Sequence, residues 1–393
     1  MIPVPECLVM AKPAGPGCNM RCGYCYYLRK EALFPRGPWR MSEDLLERFI
    51  VQRLQASPGP STHFEWHGGE PTLLGLDYFR LIADLQEKHC PPGRTITNGI
   101  QTNGLLFDDA WVQFLAAKGF SVGLSLDGPA ELHDACRITA DGRATHARVT
   151  RSFASLREGG VFCNVLCVLH VRNAPEPDRV YDFFRGIGVK HLQFLPLAGG
   201  AFAGSTLAGS ALAAPPETVG AFLCRVFDRW MLEDVGRVVI QAIDEALRPI
   251  YGIPHALCIH RETCGDVAVL EHDGGFYACD HFVDEDHFLG NLGERALADL
   301  CADPRLRSFG RAKRDTLPRA CRECDVLSSC NGGCPKDRTA AAPDGEPGLN
   351  ALCPAYKAFF RHSRPGLERL AAHMKSGRTL RSFAASLPGG RRI

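Results

Sequence analysis

The sequence has no long apolar run and no excess of charge of one sign. None of its apolar segments reaches the ~18 residues that a membrane-spanning helix needs. Its 45 Lys and Arg residues against 44 Asp and Glu leave a formal net charge of +1, so we expect neither a nucleic-acid nor a membrane partner. The first ten residues also lack the basic start and apolar centre of a secretory signal, and we expect a cytoplasmic protein.

A glycine-rich nucleotide-binding signature is absent too, because no Gly-x-Gly-x-x-Gly follows the first predicted strand. This absence favours a barrel over a doubly wound open sheet. The composition, 45% apolar and 23% charged, is that of a globular protein. Six strand-then-helix units predict a parallel sheet with right-handed crossovers, its strands at 8–10, 62–66, 95–102, 121–126, 162–169 and 192–197 and its helices near 42–55, 77–88, 108–118, 145–158, 177–186 and 216–233.

The residue that is present in unusual number is cysteine, with 18 copies unevenly distributed. A cytosolic compartment keeps thiols reduced, so a patterned set of cysteines there indicates metal binding or catalysis. Three lie together after the first predicted strand, and nine lie at 258–353, of which all but Cys301 form a second group of eight. We interpret the remaining seven as small buried apolar side chains: Cys7, Cys90, Cys136, Cys163, Cys167, Cys224 and Cys301.

The first group has the spacing C-x3-C-x2-C, formed by Cys18, Cys22 and Cys25, with Tyr24 before the last. A structural zinc normally takes four ligands, whereas a four-iron cluster held by three thiolates leaves one iron open. A zinc site or a redox disulfide is the alternative interpretation. This motif resembles that of the radical SAM superfamily, in which the open iron binds S-adenosylmethionine (SAM).

Further residues match positions that contact SAM in that superfamily. Gly68-Gly69-Glu70-Pro71 follows the second strand and is similar to the family's GGEP motif, which lines the methionyl group. Ligand sites at the carboxyl ends of parallel strands are what a barrel predicts. The resemblance therefore implies that SAM is contacted by Tyr24, Gly68, Gly69, Glu70, Ser125, Arg137 and Leu195.

The second group of cysteines resembles the SPASM domain of radical SAM peptide modifiers. Eight thiolates would close two four-iron clusters completely, and two structural zinc sites are the alternative. The resemblance assigns one auxiliary cluster to Cys258, Cys264, Cys279 and Cys334 and the other to Cys321, Cys324, Cys330 and Cys353. The implied fold class is α/β, a partial (β/α)6 TIM-like radical SAM barrel followed by a small cysteine-rich SPASM domain with two auxiliary iron–sulfur clusters. The implied cofactors are SAM and three [4Fe–4S] clusters.

Several blocks are similar to the anaerobic sulfatase-maturating enzymes. They are Lys12-Pro13, 68–72, 101–104, 122–129, 192–194 and Cys279-Asp280. The resemblance implies oxidation of a Cys or Ser side chain of a sulfatase polypeptide to formylglycine, after a 5′-deoxyadenosyl radical takes a hydrogen from the β-carbon. It also implies an electron donor such as a flavodoxin or ferredoxin.

Asp280 follows the predicted cluster ligand Cys279, so we expect it to act as the general base. A turn-capping role is the alternative for this carboxylate. Two alternative functions for the chain also stay open. One is a SPASM maturase that crosslinks or epimerises a ribosomal peptide, and the other is a zinc-stabilised binding module without catalysis.

The sequence departs at two places from the pattern of the family that it resembles. His67 stands where relatives often carry Gln, at a position that faces the substrate peptide, and a Gly/Ala/Ser-rich insertion occupies 198–214. We predict three regions: a radical SAM barrel at 1–235, a SPASM domain at 236–365 and a basic C-terminal tail at 366–393. The segment from Met374 onward is expected to be solvated, because eight Lys or Arg residues and one Glu lie between 361 and 393.

Overall fold

The computed structural model describes residues 8–34, 37, 39–57, 59–199 and 211–387. The chain divides into two compact units. The first contains the described parts of Met1–Ser125, Arg137–Cys163 and Cys264–Ala312, and the second those of Leu126–Cys136, Asn164–Thr263 and Lys313–Ile393. Cys7 and residues 200–210 of the predicted insertion lie outside the described residues.

Strands and helices alternate along most of the chain. Twelve strands among the described residues, β1 to β12, span Leu8–Lys12, Ser61–Trp66, Thr95–Thr102, Phe120–Ser125, Cys163–Leu169, His191–Pro196, Val239–Ile240, Val267–Glu271, Gly275–Tyr277, Phe288–Asn291, Ala340–Ala341 and Pro347–Leu349. Fourteen α-helices in the same part of the chain, α1 to α14, span Glu43–Ala56, Leu76–His89, Asp109–Ala117, Ala130–His133, His146–Glu158, Pro177–Gly186, Pro216–Glu233, Gln241–Tyr251, Leu297–Cys301, Pro304–Asp315, Arg319–Arg322, Leu327–Cys330, Cys353–Lys375 and Leu380–Ser386.

The first unit is organised by the sheet β10-β9-β8-β1-β2-β3-β4. Strands β1 to β4 run parallel in sequence order, β1 also pairs in parallel with β8, and β8 to β10 form an antiparallel meander. Because side chains alternate across a strand, Phe120, Val122 and Leu124 of β4 are buried in the core. Parallel pairing also brings the carboxyl ends of β1 to β4 to one edge, which is where the predicted cofactor residues lie.

Helix α1 shows why the predicted helices form where they do. The Ser42 side chain accepts from the Leu45 amide and caps the first turn, and Leu46, Phe49 and Ile50 then bury one face. All six predicted strand–helix units are confirmed, with bounds that differ by at most two residues. No helix among the described residues is long and apolar enough to cross a membrane.

The second unit contains the parallel strands β5, β6 and β7 and the hairpin β11–β12. Its longest helix, α13 at Cys353–Lys375, packs against α7 and α8. Most side chains of 374–387 are exposed or half-buried, as the expected solvated tail requires, although part of this segment forms α14. Leu367 and Leu370 are buried on α13 and Phe383 is buried on α14, because apolar residues at helical spacing face the unit's core while the basic residues cover the other side. Residues 388–393 lie outside the described part.

Candidate active site

The loop after β1 carries the first three cysteines, Cys18, Cys22 and Cys25. It leaves the strand in a tight turn, in which the Gly15 amide donates to the Lys12 carbonyl at 2.9 Å. Gly15 has a left-handed φ of +51°, a conformation that favours glycine. A second turn closes where the Cys25 amide donates to the Cys22 carbonyl at 2.9 Å. The three cysteines are therefore held on one short, hydrogen-bonded loop.

The thiols of this loop form no disulfide, and Cys22 is buried while Cys18 and Cys25 are half-buried. Burial, together with the negative charges of Glu70 and Cys25, raises the pKa of Cys18 to about 12, and burial also raises the pKa of Cys25. Such thiols keep their protons until a metal displaces them. Three soft thiol donors fit a [4Fe–4S] cluster with one iron that the protein does not bind.

The three thiols are separate donors rather than ligands of a single metal ion. Across the described ranges, no three Cys, His, Asp or Glu side chains converge closely enough to hold a metal ion. A four-iron cluster does not need such convergence, because each thiolate binds a different iron. Hydrogen bonds to sulfur are already in place, since the Met20 amide donates to Cys18 Sγ at 3.4 Å.

The glycines of the 68–71 segment let two loops touch. The Gly69 amide donates to the Gly15 carbonyl and the Glu70 amide to the Gly17 carbonyl, both at 2.8 Å. A Cβ at Gly69 would lie 2.3 Å from the Gly17 carbonyl oxygen, so only glycine allows this approach. The segment thus docks directly on the loop that carries the three cysteines.

The Glu70 carboxylate is fully buried and its oxygens accept from protein groups. Oε1 accepts from the Thr72 hydroxyl at 2.6 Å and the Thr102 hydroxyl at 2.8 Å, and Oε2 accepts from the Asn103 amide at 2.7 Å. This carboxylate therefore braces the end of β3 against the 68–71 segment. The predicted contact of Glu70 with the cofactor, in which its carboxylate accepts from an ammonium group, stays a prediction.

The other predicted SAM contacts lie at strand ends. Gln101 Nε2 donates to Ser125 Oγ at 3.2 Å, at the ends of β3 and β4. The Arg137 guanidinium lies over the Tyr24 ring at 5.3 Å from its centre, and Arg137 is 7% exposed. Leu195 lies in the second unit on β6, paired with Val168.

Asp280 lies in a nearly buried cluster of charges in the first unit. Its Oδ1 is 2.7 Å from Lys12 Nζ and 3.6 Å from Lys30 Nζ, and its Oδ2 accepts from the Tyr26 hydroxyl. Burial by itself would raise the pKa of Asp280, but the positive charges of Lys12, Lys30 and His281 more than offset it and hold the pKa well below its usual range. Asp280 is therefore an ionised carboxylate at neutral pH.

The residues around Asp280 were not predicted as site residues. Lys12 and Lys30 lie 4.9 and 4.1 Å from the centre of the Tyr27 ring, and the Tyr27 hydroxyl donates to Glu271 Oε1 at 2.6 Å. All four side chains are buried, so Tyr27 packs inside this network. One signal was available in the sequence, since Lys12 ends an otherwise apolar strand and buried lysines are rare.

His67 extends a hydrogen-bonded row on one face of β2. Its Nε2 is 3.1 Å from Glu65 Oε1, and His63 Nε2 is 2.7 Å from Glu65 Oε2. Burial would raise the pKa of Glu65, but the hydrogen bonds from His63 and His67 lower it to about 2. Glu65 is therefore a fixed negative charge that orients both imidazoles.

Six of the eight remaining predicted cluster cysteines lie in the second unit. Burial raises the pKa of Cys330 to about 12, and the charges of Cys353, Cys321 and Cys324 add to this effect. The thiols of Cys330 and of these three residues are thus close enough to interact electrostatically, and so are those of Cys258 and Cys334. Cys264 and Cys279 lie in the first unit, where Cys279 contributes to a raised pKa of Tyr26.

Comparisons with known proteins agree with this chemistry. The radical SAM superfamily matches residues 13–184, and the SPASM iron–sulfur cluster-binding domain matches residues 258–325. The serine-type anaerobic sulfatase-maturating enzyme of Bacteroides thetaiotaomicron is 38% identical, with 97% of this chain and 95% of that protein covered. The cysteine-type enzyme of Clostridium perfringens is 31% identical, with 95% and 100% covered.

A solved structure gives the same result. Native anSMEcpe with bound AdoMet and the Cp18Cys peptide has a TM-score of 0.82 and 32% identity, and the alignment covers 93% of this chain and 99% of that one. These findings confirm the predicted fold class and the predicted cofactors, SAM and [4Fe–4S] clusters, and do not favour the peptide-maturase alternative. The chain belongs to the anaerobic sulfatase-maturating enzymes, radical SAM oxidoreductases that convert a Cys or Ser side chain of a sulfatase to formylglycine.

Proposed function

We propose that this chain oxidises a Cys or Ser side chain of a sulfatase polypeptide to formylglycine, and that Asp280 accepts the proton that the reacting thiol or hydroxyl must lose. The single observation that carries the assignment of the base is the position of the Asp280 carboxylate, which is nearly buried, lies 2.7 Å from Lys12 Nζ and directly follows the predicted cluster ligand Cys279. When bound, SAM on its cluster supplies hydrogen-atom abstraction, and the auxiliary clusters supply one-electron acceptance.

Cys18, Cys22 and Cys25 are proposed to hold the SAM-binding cluster. Tyr24 and Arg137 would line the cofactor together with Gly68, Gly69, Glu70, Ser125 and Leu195. For the auxiliary clusters we keep the predicted partition, since burial and then the charges of Cys353 and Cys324 raise the pKa values of Cys321 and Cys330, which supports one four-thiol group. The predicted domain boundaries at residues 235 and 365 are kept as part of this proposal.

The surroundings of Asp280 prepare it for proton transfer. Lys12 and Lys30 keep the carboxylate unprotonated, so it can accept a proton at once, although a low pKa also makes it a weaker base. The Tyr26 hydroxyl binds Oδ2 and Lys30 binds the Asp280 backbone carbonyl at 2.5 Å. These contacts fix the carboxylate in one orientation.

We also propose a small redox protein, a flavodoxin or ferredoxin, as the electron donor. The chemistry requires a one-electron reductant for the cluster that binds SAM, and these proteins supply single electrons at low potential. We propose a cytoplasmic location because the patterned cysteines suit a reducing compartment.

The test is anaerobic turnover with SAM, a reductant and paired peptides that differ only in Ser or Cys at the target position. The serine peptide is expected to lose about two mass units, the two hydrogens removed on oxidation. Asp280→Asn is expected to cleave SAM at a similar rate and to form at least about 100-fold less aldehyde. Asp286→Asn, an exposed neighbour, is the matched control. An unchanged aldehyde yield in Asp280→Asn would remove this residue from the mechanism.

A further inference from the structure

Lys313 is a buried lysine in the second unit that the proposed mechanism does not use. It lies on α10 with 1% of its surface exposed. Its Nζ donates to the backbone carbonyls of Cys258 at 2.6 Å and Ile259 at 2.9 Å, and also to the Arg261 carbonyl. An ammonium has three donors, so all three are directed at the turn that begins at Cys258.

A second cation connects this turn to the next group of cysteines. The Arg338 guanidinium donates to the Lys313 carbonyl at 2.6 Å and to the carbonyls of Asn331 and Gly332, each at 3.2 Å. Asn331 Nδ2 in turn donates to the His260 carbonyl at 2.7 Å. The turn at 258–261 and the loop at 330–334 are therefore joined by one hydrogen-bonded network with two cations in it.

The loop at 330–334 is held in an unusual backbone conformation. Asn331 has a φ of +48° and is the only described residue other than glycine with a positive φ. Gly332 and Gly333 follow at +72° and +63°. A non-glycine residue is rare in this region and persists only where its surroundings hold it. Here the bonds made by Arg338 and by the Asn331 side chain hold it, and they place Cys330 and Cys334 on either side.

The charge of Lys313 acts where few water molecules can screen it. Interactions between charges grow as the local dielectric falls, so a buried ammonium at the Cys258 backbone favours added negative charge nearby. The reduction potential of an iron–sulfur cluster depends on the charges and hydrogen bonds around its ligands. A cation at this position stabilises the reduced cluster relative to the oxidised one.

We propose that Lys313 is a positioning residue for an auxiliary iron–sulfur cluster, which holds the turn that carries Cys258 and raises the reduction potential of the cluster that Cys258 binds. This inference rests on the proposed role of Cys258 as a cluster ligand. It does not depend on the sulfatase reaction, because the potential is a property of the cluster in the absence of substrate.

The test is a redox titration followed by electron paramagnetic resonance, on the full chain reconstituted with iron and sulfide. Replacing Cys18, Cys22 and Cys25 by Ala removes the first cluster from the spectrum. In this background, Lys313→Met is expected to lower the reduced-to-oxidised ratio of one cluster at least about tenfold at a fixed potential, which is about 59 mV for one electron. Lys313→Arg keeps the charge and is expected to stay within about threefold of the parent. Lys190→Met, an exposed lysine of the same unit, is the control.

The proposal would be overturned if Lys313→Met and the parent had equal reduced-to-oxidised cluster ratios at the fixed potential. It would also be overturned if Lys313→Arg lowered this ratio as much as Lys313→Met. If Lys313→Met does not hold iron, Lys313→Gln takes its place, because glutamine is neutral and still donates to carbonyls. The same tenfold fall in the reduced-to-oxidised ratio is then expected of Lys313→Gln. Cys258→Ala in the same background tests the underlying assignment separately. An unchanged iron content and spectrum in that variant would remove Cys258 as a ligand, and the role of Lys313 with it.

Discussion

Lys12 Nζ lies 2.7 Å from Asp280 Oδ1, in an ion pair that joins the end of β1 to the residue after Cys279. The two side chains are 1% and 12% exposed. Lys12 also begins the turn that leads to the three clustered cysteines. The proposed base is thus fixed to the strand from which the loop of the proposed SAM-binding cluster starts.

Lys12→Met is expected to lower the free energy of unfolding by about 3 kcal/mol, because it leaves the nearly buried Asp280 carboxylate with only Lys30 as a neighbouring lysine. Anaerobic urea denaturation measures this loss. In an Asp280→Asn background, Lys12→Met is expected to lower the free energy of unfolding much less, since the carboxylate that needs a partner is gone. Lys118→Met, which breaks the exposed pair with Glu87, is the control and is expected to lower the free energy of unfolding by ~1 kcal/mol or less. Equal losses in both backgrounds would show that the ion pair is not what stabilises this region.

Gly69→Ala is expected to disrupt the first cluster, because a Cβ there would lie 2.3 Å from the Gly17 carbonyl oxygen. The reconstituted variant is expected to lose about four of roughly twelve iron atoms, the content of one four-iron cluster in three. Iron and sulfide analysis measures this. Gly186→Ala is the matched control, because no atom lies within 4 Å of a Cβ built at Gly186. Full iron content in Gly69→Ala would contradict the proposed docking of the two loops.

Cys22→Ala is expected to abolish SAM cleavage, since the SAM-binding cluster loses one of its three proposed ligands. Release of 5′-deoxyadenosine under reducing conditions, followed by chromatography, is the measurement. Cys90→Ala, which removes a half-buried cysteine outside the proposed ligand sets, is expected to retain cleavage. If Cys22→Ala continued to cleave SAM, the assignment of Cys22 as a cluster ligand would be wrong.

Glu65 is expected to make the unfolding free energy depend on pH. Its pKa is about 2 in the folded chain against 4.5 ordinarily, so its contribution is fully present above pH 4.5 and is lost as pH falls toward 2. The loss amounts to no more than about 3 kcal/mol. Glu65→Gln is therefore expected to flatten the decline of the unfolding free energy in this window, measured by urea denaturation at successive pH values. Parallel curves for Glu65→Gln and the parent would exclude such a contribution.

The elements that were predicted correctly are those whose signals are local. The strand–helix units follow from hydrophobic periodicity and from caps such as Ser42 and Asp108, whose side chains accept from amides three residues on. The C-terminal helices were missed for a physical reason. The density of basic residues suggested a solvated tail, and most side chains of 374–387 are indeed exposed. The helices themselves depend on Leu367, Leu370 and Phe383, whose burial becomes favourable only when the core is there to cover them.

The sequence by itself determined the fold class and the cysteine motifs, because spacing along a short loop and periodicity along a strand are properties of neighbouring residues. Only the tertiary structure decided which charges meet. Tyr26 lies 254 residues from Asp280 and Lys313 lies 55 residues from Cys258, so their contacts depend on how distant segments pack. The burial that results strengthens the interactions between these few charges, since water no longer screens them.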